Sequence, residues 1–252
     1  MIQRRILSIL LCCFSYHVVL PQTENGKTQL LTAGFQIRPL FASKFFGAGE
    51  VTESDRHLET TIKPRLGYTF GMIIRRGFSP KFSLEMGINY FKRNFTMINV
   101  DDSLAITDES GFGIVSYEIP IQTLFYIRLS KKMYMNVSMG TSFNWFASDV
   151  RSLGENQAFS QYTEISKGWL KFALLGNIGW EWRTEKAGFF YLGASLHRPL
   201  FPIGTSYVKY DQGPWKYDLE IPLTGGVLTI DFRYFFHEMP HKKTKKTTKP
   251  AN

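Results

Sequence analysis

Residues 82–90 alternate without a break: Phe82, Leu84, Met86, Ile88 and Tyr90 fall on one phase, Ser83, Glu85, Gly87 and Asn89 on the other. A period of two puts these sets on opposite faces of an extended strand. The stretch runs on through Phe91 and Arg93 to Phe95, beyond the roughly five or six residues of an ordinary strand. Residues 133–145 repeat the pattern, with Met133, Met135, Val137, Met139, Phe143 and Trp145 against Tyr134, Asn136, Ser138, Gly140, Ser142 and Asn144. Further segments of this kind lie at 28–40, 58–75, 117–128, 169–183 and 189–198, and a last one ends at 236. Alternating segments of about ten residues, parted by turn residues, are the pattern of a transmembrane β-barrel. The sequence therefore predicts an all-β fold over 28–236: an eight-stranded antiparallel up-and-down transmembrane β-barrel.

The ends read differently. Arg4 and Arg5 precede an apolar run over 6–14, and residues 1–21 read as a secretory signal peptide. The run is short for a spanning helix, which needs about 20 residues. A competing reading makes Cys12 or Cys13 an acylated lipoprotein cysteine, but the small residues that such processing prefers do not precede them. These are the two cysteines of the chain, so cleavage after the signal leaves no disulfide and no cysteine metal site. Residues 22–27 form a short polar lead-in.

The net charge of +9 is local. Arg4 and Arg5 hold two units. The tail over 237–252, with five lysines and Glu238, holds four, leaving +3 for 22–236. That excludes the basic stripe of a nucleic-acid-binding domain. The tail reads as a basic disordered periplasmic segment; the alternative is attraction to anionic lipid or periplasmic polymers.

Connection lengths give the predicted orientation. Long polar loops at 41–57, 101–113, 148–166 and 199–216 alternate with short turns at 77–80, 130–132 and 184–188. In such barrels the short turns are periplasmic and the long loops extracellular. The expected location is the cell outer membrane with both termini periplasmic. Phe82, Tyr134, Trp180, Trp182, Phe189, Tyr234 and Phe236 gather near the short turns, and Tyr117, Phe143, Trp145, Trp169 and Trp215 near the long loops. Two aromatic belts of this kind suit a bilayer's two interfaces. Breaks in the alternation predict a bulge at Trp169, another near Gly225 and Gly226, and weakened pairing at Pro39, Pro64, Pro120 and Pro222.

The outward phase of the second strand takes Ile62, Leu66, Tyr68, Phe70, Met72 and Ile74. The predicted inward phase of the barrel carries Arg38, Arg65, Arg75, Glu85, Glu118, Arg128, Lys171, Glu181, Arg183, Asp231 and Arg233, with Lys63 also inside. Eight strands enclose only enough room for side chains or one small ligand, so these charges read as a salt-bridged plug. Glycines 34, 67, 87, 140, 179 and 193 share that phase and make room for long neighbours. Ser195 and His197 also share it, two positions apart, and a carboxylate would complete a hydrolytic triad. No nucleophile elbow accompanies them. His57, His237 and His241 lack metal-site spacing. The expectation is a non-enzymatic protein with no catalytic, cofactor or metal residues.

The residues Tyr117, Glu118, Ile119, Pro120 and Ile121, with the terminal alternation Phe232, Tyr234 and Phe236, carry a resemblance. They resemble the small PorT-like outer-membrane β-barrel family of Bacteroidota, akin in architecture to OmpX- and OmpA-type barrels. The resemblance covers about 28–236 and brings no catalytic residues. It implies a barrel assembly machinery that reads the last aromatics, although this chain continues for sixteen residues beyond Phe236. It also implies envelope roles ranging from unassigned proteins to subunits of secretion and gliding complexes. Expected partners are outer-membrane lipid and lipopolysaccharide, the assembly machinery and envelope proteins, and no nucleic acid.

Overall fold

A computed structural model describes residues 31–236, apart from 43, 45–46, 156–158, 166–168, 185–186 and 213–214; side chains of 210–218 are not described. The signal, lead-in, first residues of the first strand and basic tail lie outside the described residues.

Thirteen strands follow in order: β1 Leu31–Phe41, β2 Val51–Asp55, β3 Leu58–Ser79, β4 Phe82–Asp101, β5 Ile106–Arg128, β6 Met133–Phe146, β7 Val150–Leu153, β8 Phe159–Glu164, β9 Leu170–Arg183, β10 Phe189–Pro199, β11 Gly204–Gln212, β12 Trp215–Leu223 and β13 Val227–Phe235. Eight of them pair in a closed antiparallel ring, β1-β13-β10-β9-β6-β5-β4-β3 and back to β1. These are the eight strands the alternation predicts. Closure is what hydrocarbon demands, since lipid offers no partner to an open strand edge.

The two faces of the ring divide as the sequence pattern does. Phe35, Met72, Ile88, Met139, Leu174, Ile178, Leu192 and Phe232 are exposed on the outside, while Gln36, Arg75, Glu85, Asn89, Glu118, Asn177 and Asp231 are buried inside. Phe70, Tyr90, Tyr117, Trp145 and Leu170 stand directly across from one another on five successive strands. They form the belt near the long loops. Trp180, Trp182, Phe190, Tyr234 and Phe236 form the belt at the turn end, with the Phe190 and Tyr234 rings 5.2 Å apart. Tyr134 and Phe189 do not join it. They turn into the barrel mouth, where the Arg183 guanidinium lies 4.2 Å and 5.3 Å from their rings.

The long connections depart from expectation. The predicted loop at 41–57 contains β2, most of 101–113 belongs to β5, 148–166 contains β7 and β8, and 199–216 contains β11. The strands β7, β8, β11 and β12 form a second sheet in the order β12-β11-β8-β7. It packs over the upper halves of β3, β4 and β5 together with β2. Leu58, Ile62, Phe95, Met97, Phe112 and Ile114 meet Phe159, Val208, Ile221 and Leu223 in one apolar core. The Phe95 and Phe112 rings stack 5.2 Å apart. One edge is stitched to the wall where the Glu155 amide donates to the Glu109 carbonyl at 3.1 Å and the Ser152 hydroxyl to Gly111 at 3.3 Å. The other edge, β12, lies beside β2. The result is a cap on the barrel, with its own core. Within it the Tyr162 hydroxyl donates to Asp149 at 2.6 Å, and that bond holds the phenol above its ordinary pKa.

The cap arises because the inward phase takes on apolar residues while the geometry continues. On β4 the odd positions point inward throughout: Ser83, Glu85 and Asn89 first, then Phe91, Phe95 and Met97. On β3 the phase itself changes. A register shift between Arg65 and Tyr68 turns Ile62 inward and leaves Lys63 and Arg65 facing out, reversing the predicted sides of all three. Near Gly225 and Gly226 the chain does not bulge within one strand. It leaves the cap sheet at Leu223 and enters the barrel at Val227, so the strand breaks there. Trp169 is exposed ahead of β9, whose pairing with β6 is regular. Pro120 interrupts the β4 ladder between the pairs Met86–Ile121 and Asn89–Glu118.

Two expected outcomes test this arrangement. Met139→Arg puts a charge on the lipid face and should cost about 2–4 kcal/mol, measured by denaturant titration of protein folded in vesicles; a neutral result would contradict the outward face. Phe95→Ala should cost about 3–5 kcal/mol within the cap. It should expose cap segments to protease while the heat-modifiable migration of the barrel persists.

Candidate functional site

The interior of the ring holds the chemically notable residues, on inward positions of all eight strands. Arg75 on β3 pairs with Glu85 on β4 at 2.8 Å and with Glu181 on β9. Arg233 on β13 bridges Glu85 at 2.6 Å and Asp231 at 2.6 Å. Arg183 at the mouth donates to Glu181 at 2.6 Å. One layer higher, Glu118 on β5 accepts from Arg38 at 2.9 Å and from Asn89 at 2.7 Å, and its other oxygen lies 3.3 Å from His197 Nε2. Uncharged groups complete the filling. Asn177 donates to Ser195 at 2.8 Å and Asp231 at 3.0 Å, and its carbonyl oxygen accepts from Tyr191 at 2.6 Å. Gly179 and Gly193, opposite one another on β9 and β10, leave the space that Tyr191 occupies: a Cβ at either would lie within 2.4 Å of its hydroxyl.

Fully buried charges are costly unless paired and hydrogen-bonded. Here Arg38, Arg75 and Arg233 each touch a carboxylate, and Glu85, Glu118, Glu181 and Asp231 each touch an arginine. Arg93 is the exception in kind. Its guanidinium lies 4.0 Å from the centre of the Phe91 ring and donates to the Gly225 carbonyl and the Ser116 hydroxyl, both at 3.3 Å. It stands where the polar interior meets the cap core.

A closed eight-stranded wall, an apolar outer band with aromatic belts and a charged interior agree with the family that the sequence matches. The family described as "Outer membrane protein beta-barrel domain" matches residues 31–204. The chain belongs to that family. Its location is accordingly the outer membrane. No curated protein matches the sequence. Among solved structures, the outer membrane protein OprG of Pseudomonas aeruginosa is similar in fold, with TM-score 0.53 and 12% identity, over 85% of this chain and 99% of OprG. The outer membrane protein AlkL, determined in lipid bilayers, matches at TM-score 0.45 and 13% identity, over 88% of this chain and 98% of AlkL.

Of the charges placed inward by sequence, this family member brings Arg38, Arg75, Glu85, Glu118, Glu181, Arg183, Asp231 and Arg233 together. It leaves out Arg65, which faces outward above the bulge. Arg128 lies beyond the last inner layer and donates to the Ser130 carbonyl at 3.1 Å. Lys171 is half-buried at the upper rim and donates to the Pro202 carbonyl at 2.5 Å. The sequence reading missed Arg93, although it shares the phase of Glu85. Gln36, Asn89 and Asn177, which the sequence phase also places inward, are buried there and serve as polar partners of the charged groups.

Ser195 and His197 are both inward and buried, but they do not act on one another. Ser195 donates to Asp231, whereas His197 sits 5.2 Å from the Phe91 ring with Nε2 3.4 Å from Ser142 and 3.3 Å from Glu118. A triad needs one ring nitrogen for the nucleophile and the other for the carboxylate. Here Ser142 and Glu118 share Nε2, and Nδ1 bonds to no protein group. Among the described residues no cluster of histidine, cysteine, aspartate or glutamate could hold a metal, and His237 and His241 lie outside them.

Removing one partner should be expensive. Glu181→Gln leaves Arg75 and Arg183 short of a charge and should destabilise the barrel by about 3–5 kcal/mol. Ser195→Ala removes one hydrogen bond and should cost about 1 kcal/mol. Equal midpoints for the two variants in the same denaturant titration would contradict the ion-pair scheme.

Proposed function

We propose that this outer-membrane barrel conducts nothing and catalyses nothing, and that it serves as an anchor that holds a folded cap at the cell surface for a structural or interaction role. The observation that carries the reading is the interlocked set Arg75, Glu85, Glu181, Asp231 and Arg233 across the lumen, topped by the apolar cap core. An ion would have to break several buried pairs and then cross a dry layer. In this reading the short turns and both termini are periplasmic and the cap is extracellular. Lipopolysaccharide and phospholipid surround the wall, and the barrel assembly machinery inserts it. Purified protein in planar bilayers should give no stable single-channel current. Reproducible currents that change with Arg75 or Arg233 substitutions would overturn the proposal.

A second reading makes the chain a PorT-like subunit of a secretion or gliding complex. What favours it is the resemblance around Tyr117 to Ile121, because Glu118 in that stretch is the hub of the upper inner layer and Pro120 breaks the β4 ladder beside it. The cap would then be the docking element. Purification from native membrane separates the readings: a stoichiometric protein neighbour supports the complex, and a lone barrel supports the anchor. A lipid-modifying role is a further alternative, for which the bonding of Ser195 to Asp231 is unfavourable. Lipid A from cells making the protein should keep its acyl chains, and a loss that depends on Ser195 would establish an enzyme.

A further inference from the structure

The wall has a gap in its ladder at the loop end of β3. β1 accompanies β3 as far as the pair Leu40–Gly67, and β2 takes over only at Val51–Ile62. Among the described residues, 63–66 therefore have no ladder partner on that side, and the link over 42–50 joins β1 to β2 around them. A pocket of about 450 Å³ opens there. Phe41 and Leu66, both exposed, line its apolar part, and Lys44, Lys63, Arg65 and Glu50 line its polar part.

Its height on the barrel follows from its neighbours. Tyr68 lies two positions from Leu66 toward the turn end, and its ring stacks 6.1 Å from Tyr90 in the belt near the long loops. Such rings sit at the headgroup level of a bilayer. An unpaired strand edge does not lie in hydrocarbon, so residues 63–66 stand on the water side of that belt. The charge there is positive. Glu50 pairs with Lys63 at 3.3 Å, whereas Arg65 and Lys44 meet no carboxylate among the described residues. Three cations thus face one carboxylate in the pocket wall. The link residues outside the described set, Ser43, Phe45 and Phe46, carry no carboxyl group. Lys44, Lys63 and Arg65 are all exposed. An arginine fork matches two phosphate oxygens, and a lysine adds a point charge beside it.

We propose that this pocket binds a phosphate of lipid A, the phosphorylated glycolipid anchor of lipopolysaccharide, with Arg65 and Lys44 on the phosphate and an acyl chain against Phe41 and Leu66. The choice of lipid A rests on the reading that the loops are extracellular; the pocket and its charge do not. Channel currents would overturn the sealed anchor and leave this site standing. A preference for phospholipid would leave the anchor standing and overturn this site.

Full-length protein in detergent is offered lipid A with two phosphates, the same lipid with its phosphates removed, and phosphatidylglycerol. Retained lipid is read by native mass spectrometry. One molecule of the phosphorylated lipid A should be held in preference to the other two. Arg65→Gln and Lys44→Gln should each lower its retention roughly fivefold, the effect of one basic residue at an anionic surface. Lys81→Gln removes an exposed charge at the turn end and should leave retention unchanged. Excess inorganic phosphate should not displace the lipid, because it offers nothing to Phe41 and Leu66. Equal retention with and without phosphates, a preference for phosphatidylglycerol or displacement by inorganic phosphate would overturn the proposal. So would unchanged retention in the Arg65 and Lys44 variants, or an equal loss in the Lys81 variant. Heat-modifiable migration reports folding for each protein, and Lys44→Gln, in the link rather than the ring, keeps the test valid if Arg65→Gln does not fold.

Discussion

Every backbone amide in the hydrocarbon layer must find its partner within the protein. That single requirement fixes the ring: β1 and β3 pair from Leu31–Arg76 to Leu40–Gly67, and so close a sheet that would otherwise have two unpaired edges. Closure then creates an interior with room for side chains or one small ligand, and here side chains fill it. On the lipid side the filling problem is absent and apolar residues suffice. Inside, the chain uses arginine and carboxylate. Long side chains cross the lumen, and the pairs Arg38–Glu118, Arg75–Glu181 and Arg233–Glu85 tie strands that are distant along the chain.

Such ion pairs are weak evidence for stability taken alone, since desolvation offsets much of the attraction. Their geometry carries more information. Arg75 joins β3, β4 and β9, while Arg233 joins β13 and β4. A strand that slipped by one residue would turn these charges toward lipid and bring apolar groups into the lumen. The network therefore penalises wrong registers more than it deepens the right one. The cap works by the opposite means: Phe95, Phe112, Phe159 and Ile221 bury apolar surface, at roughly 1.5–3 kcal/mol for each large side chain.

The eight ring strands were legible in the sequence because lipid outside and charge inside give every strand the same simple alternation. The phases of Glu85, Glu118, Ser195, His197 and Asp231 came with it. The pairings did not. Glu85 and Arg233 stand 148 positions apart, and only the stagger of the closed ring decides which acid each arginine meets. The cap was illegible for a different reason. From Phe91 onward the phase of β4 that held only polar groups below also carries Phe91, Phe95 and Met97, so a single rule of apolar-outside fails where the cap begins. On β3 the bulge between Arg65 and Tyr68 hides the same change by shifting the phase instead.

The two storeys meet at Arg93. Its strand passes from the polar interior to the cap core, with Phe91 beneath it and Phe95 above, both inward and buried. The guanidinium covers the Phe91 ring and reaches across to the Gly225 carbonyl, in the short link by which the chain leaves the cap sheet and enters β13. A backbone carbonyl at a strand break has lost its ladder partner, and the guanidinium supplies a donor where no neighbouring strand can. The aromatic face stabilises the cation where water is excluded. An arginine can serve both contacts at once, because its plane stacks while its edge donates. A lysine has no plane to stack, and a leucine would leave the carbonyl unpaired. The position follows from the fold: where one strand changes from a charged to an apolar layer, a side chain with a charged edge and an apolar face suits both.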